Sequence, residues 1–96
     1  MTVDFTSVRN FNERAVYEAV AVGAALHPGL SPDPELLADV ACVALNRLPP
    51  RYIRHHVDYV FYLSDRERHD NERAIGEAVE YAFGFVQARA AMKTRG

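Results

Sequence analysis

Ninety-six residues with 49% apolar side chains make one small globular domain, long enough to bury a core and too apolar for a disordered chain. A formal charge of −2, from 11 basic and 13 acidic residues, lacks the basic surplus of a general nucleic-acid binder but leaves room for a local anion site. No apolar run approaches the ~20 residues of a membrane span, the single Cys42 cannot close an internal disulfide, and residues 1–10 carry no apolar signal segment, so a cytoplasmic protein without membrane or direct DNA contact is expected.

Residues 1–9 read as a flexible lead-in and residues 10–93 as one helical domain. Asn10 stands three before Glu13, the spacing of a capping box, and predicts a helix running to about Leu26. Its apolar stripe is Val16, Ala19, Val20, Gly23 and Leu26, and His27-Pro28-Gly29 ends it. After a proline-rich turn, Asp33-Pro34 reads as N-cap and first helical position. This second helix carries Leu37, Val40, Ala41, Ala44 and Leu48 on one face and stops at Pro49-Pro50. Cys42 is expected to be a packed, inert thiol within it.

From Tyr52 to Tyr62 the composition turns β-branched and aromatic, which predicts an extended segment over about 52–62. Its partner strand must come from a hairpin or from another copy of the chain. Ser64 with Glu67 forms a further capping box and opens a helix reaching about Met92. Residues 65–73 are charged and read as a solvated face; Ile75, Ala78, Val79, Ala82, Phe83, Val86 and Ala90 form the buried stripe. The fold class is therefore mainly α: a small single domain of three to four helices with one short extended segment. The abundance of alanine and aromatic residues suits pairing as a homodimer.

Residues 47–56 concentrate the chemistry. They hold Arg47, Arg51, Arg54, His55 and His56 and no acid, on backbone stiffened by two prolines. Ten of the eleven basic residues are arginines, whose planar forks suit phosphate or a guanine edge. Arg47 also complements the C-terminal dipole of its helix. Guanine needs a carboxylate for its N1 and N2 donors and an arginine or ring for its other edge and face, a requirement met by Asp58, Arg51, Arg54 and Tyr52. His55 and His56 are further donors; adjacent histidines on a strand point apart and do not share a metal ion. No nucleophile elbow and no glycine-rich phosphate loop appears, so no catalytic residue is assigned and no enzymatic activity is expected.

The stretch Ala44-Leu45-Asn46-Arg47-Leu48-Pro49-Pro50-Arg51-Tyr52 resembles the signature of the late-competence ComFB family, and the order of helix, motif and C-terminal helix is similar over about residues 10–90. The resemblance implies a small helical homodimer without catalytic activity, similar to receptors for cyclic dinucleotides, notably cyclic di-GMP. Some members carry a zinc-binding cysteine cluster; this chain has only Cys42, so zinc is not carried over. For such a ligand, the side-chain chemistry above leads us to expect Arg47, Arg51 and Arg54 to hold the phosphates or stack on guanine, and Asp58 to read a guanine edge. Tyr52 would pack beside a base, and His55 or His56 would supply a donor. The same residues admit cyclic di-AMP or cyclic mono-AMP; Asp58 with paired arginines favours guanine. Binding would be passed to a transcription factor or other effector protein. The alternative is a nucleotide-independent adaptor that docks through Tyr59, Phe61 and Tyr62.

Overall fold

The computed structural model describes residues 1–55, 57, 60–61 and 63–95. Its elements in chain order are strand β1 (Arg9–Asn10), helix α1 (Glu13–Gly23) with a 3-10 turn (Ala24–Leu26), helix α2 (Pro34–Arg47), strand β2 (Tyr52–Ile53) and helix α3 (Asp65–Arg95). The mainly helical class is as expected. Helix α2 packs most extensively on α3, and α1 lies against both. The core between them is built from Val16, Val20, Leu30, Val40, Ala44, Leu48, Ile75, Val79, Ala82, Phe83 and Val86.

The capping signals of α2 and α3 act as their residues dictate. The Asp33 carboxylate accepts the amides of Glu35 and Leu36 at 3.0 and 3.3 Å, and Pro34 fills the first helical position. Ser64 Oγ accepts the Glu67 amide at 3.1 Å. Residues 65–70 are exposed, as a charged solvated face requires, and the buried stripe of α3 starts at Ile75.

Four expectations change. The Asn10–Glu13 capping box does not form: Asn10 is committed to β1, and α1 starts behind Asn12, whose side chain makes no capping bond. Leu26 is 81% exposed because α1 tightens into a 3-10 turn, which alters the angular spacing and turns Ala24 inward instead. Cys42 is exposed rather than packed; it lies two residues past Val40, on the far side of α2 from the buried stripe, and accepts a weak bond from Asn46 Nδ2 at 3.7 Å. Among the described residues the extended segment is confined to Tyr52–Ile53, while Val57, Val60 and Phe61 are helical. Its partner strand is internal: β1 and β2 run antiparallel, Arg9 opposite Ile53 and Asn10 opposite Tyr52.

Phe83 joins α3 to the end of α1. Its ring stacks on His27, centroids 4.1 Å apart and 8° from parallel. Gly23 lies against the same ring, so close that a Cβ there would meet Phe83 Cε2 at 2.8 Å. Gly23→Ala sets a helix-propensity gain of up to ~1 kcal/mol against an overpacking cost of about 1–3 kcal/mol. Gly23 closes its helix, so the gain is at its smallest, and the ring is held by His27. We expect a net loss of about 1 kcal/mol, seen as a melting temperature lower by roughly 4–8 °C.

The molecule is a slab of 48 × 41 × 20 Å with a radius of gyration of 15.5 Å. A compact chain of this length has a radius near 12.5 Å. The excess reflects the 31-residue α3 laid across a structure only two helix layers thick. Among the described residues no helix is long and apolar enough to cross a membrane.

Candidate functional site

The double-proline corner is fastened to the start of α1. Helix α2 ends at Leu48, whose extended backbone (φ −99°, ψ 143°) leads into Pro49-Pro50. Asn12 Nδ2 donates to the Pro49 carbonyl at 3.4 Å, and the Phe11 amide donates to the Arg51 carbonyl at 2.6 Å. Asn10 Oδ1 accepts two amides, from Asn12 at 3.1 Å and from Arg51 at 3.4 Å. Asn12 is only 2% exposed, so its bond to the corner is sheltered from water. These bonds fix the direction in which the arginine segment leaves the prolines, and β2 then pairs with β1.

The β1–β2 ribbon and the first turns of α1 enclose a groove of about 560 Å³. Arg54 lines it from the motif side. Arg9 enters from β1 and Arg14 from α1, with Glu13, Tyr17 and Glu18 beside them. Arg9 Nε donates to the Thr6 carbonyl at 3.4 Å. The turn carrying Thr6 is held by Asp4, whose carboxylate accepts the Thr6 amide and hydroxyl and is thereby kept below the usual carboxylate range. A second hollow of about 350 Å³ adjoins the groove, sharing Phe11, Arg14 and Glu18 and adding Val60, Arg68 and Asn71 among others. Arg68 Nη2 donates to the Val60 carbonyl at 3.4 Å there.

The residues singled out in the sequence separate in space. Arg54 lies in the groove. Arg51 is exposed next to it, its backbone bonded to residues 10 and 11. Tyr52 is 70% exposed opposite Asn10, and His55 is exposed. Arg47 points elsewhere: its guanidinium carbon sits 3.7 Å above the Tyr81 ring of α3, a cation–π contact that links α2 to α3. His56 and Asp58 lie outside the described residues. The groove instead gains Arg9, Arg14 and Glu18, which sequence reasoning did not place there. Only the i,i+4 spacing of Arg14 and Glu18 is visible in the chain; the meeting of Arg9 with Arg54 depends on strand register.

Chemically, the three arginines that line one concavity can offer guanidinium donors to an anion, and the two glutamates offer acceptors. This is a small helical domain with a mixed-charge, ligand-sized groove beside a rigid proline corner. The model of the late competence development protein ComFB family matches residues 9–90, and the chain belongs to that family. No curated protein and no solved structure matches the chain.

Proposed function

We propose that this protein is a non-enzymatic receptor for cyclic di-GMP that passes the signal to a transcription factor or other effector protein. The observation that carries this is the convergence of Arg9, Arg14 and Arg54 on one groove beside the Leu48-Pro49-Pro50-Arg51-Tyr52 corner. Two phosphodiesters need two sets of fork-shaped donors, and a dinucleotide fills a volume in the range of known ligand pockets, ~300–1,000 Å³. Arg51 and His55, exposed on the same segment, complete the donor set. A thermal-shift panel of cyclic nucleotides tests the proposal. At 100 times its dissociation constant the ligand adds about 2.7 kcal/mol, which in a domain of this size raises the melting temperature by roughly 10 °C or more. No shift with cyclic di-GMP at millimolar concentration contradicts it.

The receptor works as a homodimer in this proposal. The thin slab leaves an apolar hollow of about 600 Å³ between α1 and α2, lined by Tyr17, Ala21, Leu37, Ala38, Cys42 and Leu45, where a second copy would complete the core. Tyr17 also lines the arginine groove, so a dimer would bring its two ligand sites close to the shared face. Leu45→Arg places a charge on this surface. Sedimentation velocity should show a dimer for the wild type and a monomer for the variant.

A nucleotide-independent adaptor is the second reading. Of its docking residues Tyr59, Phe61 and Tyr62, the two tyrosines lie outside the described residues; the reading is favoured by Phe61, helical and 82% exposed, with Val57 61% exposed one turn before it. Phe61→Ala would then abolish effector capture while any nucleotide titration stayed unchanged.

A further inference from the structure

A site built only to hold phosphate has no use for carboxylates, yet Glu13 and Glu18 line the arginine groove. Glu18 lines the adjoining hollow as well, together with Arg14. The two sit one turn apart on α1, Arg14 Nε 3.4 Å from Glu18 Oε1, with side chains 82% and 70% exposed. Such an exposed i,i+4 pair contributes little to stability. What it presents at the junction of the two hollows is a donor fork beside a pair of acceptor oxygens.

That order is complementary to one base edge. The Watson–Crick edge of guanine runs acceptor, donor, donor: O6, N1–H, N2–H. Adenine runs donor then acceptor, N6–H and N1, so each of its groups would face one of like kind. We propose that Arg14 and Glu18 are specificity-determining residues that read a guanine base, an inference that rests on the cyclic di-GMP receptor proposed above. Arg14 donates to O6, and Glu18 accepts from N1–H and N2–H. Tyr17, half exposed on the same groove, supplies a ring face to the base. Arg9 and Arg54 are left to the phosphates. Recognition is thus divided: the ribbon binds the charge common to all cyclic dinucleotides, and α1 selects the base.

Isothermal titration of the wild type, Glu18→Ala and Arg54→Ala with cyclic di-GMP and with cyclic di-AMP tests this. Both side chains are exposed, so each variant keeps the wild-type circular dichroism spectrum. The wild type should prefer the guanine ligand. Glu18→Ala should shrink that preference about 10- to 100-fold, the range of one bidentate base contact. Arg54→Ala should weaken both ligands by the same factor. A Glu18→Ala protein that keeps the full preference, while Arg54→Ala still weakens binding, overturns the Arg14–Glu18 assignment and leaves the receptor standing. A wild type that prefers the adenine ligand also overturns the assignment. A wild type that binds neither dinucleotide overturns both.

Discussion

Phe83→Ala is expected to remove about 3–5 kcal/mol of stability, the usual cost of emptying a buried phenylalanine site. A 96-residue domain has about 5–14 kcal/mol in total, so the loss is roughly a fifth or more of what holds it together. The site cannot collapse easily. Phe83 is 2% exposed and has His27 stacked on its ring, while Gly23, against its edge, has no side chain to move into the void. Ring and glycine are one fitted unit that docks the end of α1 on α3. In urea, the midpoint should fall by roughly a fifth or more with an unchanged slope. Phe83→Leu, which keeps most of the volume, should cost about half as much or less. A midpoint for Phe83→Ala within a tenth of the wild type would show that α1 is held elsewhere.

The second large effect concerns the groove. Arg9→Ala combined with Arg54→Ala should lower the affinity for cyclic di-GMP by about 10²- to 10⁴-fold. Each removes a hydrogen bond between charged groups worth about 1.5–3 kcal/mol, and a tenfold change corresponds to 1.4 kcal/mol. Both side chains are exposed, so the urea midpoint should stay near that of the wild type. Arg47→Ala supplies the contrast. Its guanidinium is engaged with Tyr81, away from the groove, so its loss should cost about 0.5–1 kcal/mol of stability and leave the affinity unchanged within a factor of two. Fluorescence titration with a labelled dinucleotide measures all three variants. Equal losses for Arg47→Ala and for the double variant would mean that the ligand lies over the α2–α3 face instead.

Much of the helical frame is legible in the chain because its signals are local. Asp33-Pro34 and Ser64 start their helices where expected, and the stripes of α2 and α3 predict the buried residues almost position by position. The exceptions have physical causes. Residues 57, 60 and 61 carry β-branched and aromatic side chains that favour strand, yet they are helical: strand propensity is realised only against a partner, and among the described residues β1 pairs with Tyr52–Ile53 alone. A two-residue strand such as β1 is too short to show any period, so neither its existence nor its pairing with Tyr52–Ile53 can be read from composition.

The candidate site follows the same division. The proline corner and the arginines after it are a local signal, and Arg54 is where that signal points. The groove, by contrast, is made by register. Arg9 reaches it because it stands opposite Ile53, and Arg14 because only two residues separate β1 from α1. Arg47 belongs to the same local cluster in sequence, but a ring 34 residues further along the chain takes its guanidinium. Local clustering of charge thus identified the motif and not the membership of the groove.

Amide chemical-shift mapping tests the central claim most directly. When isotope-labelled protein is titrated to saturation with cyclic di-GMP, the largest shifts should fall on Arg9, Phe11, Arg14, Glu18 and Arg54, with Arg47 and Tyr81 nearly unmoved. Saturating ligand that leaves the groove amides in place, or moves only those around Arg47 and Tyr81, would contradict the account.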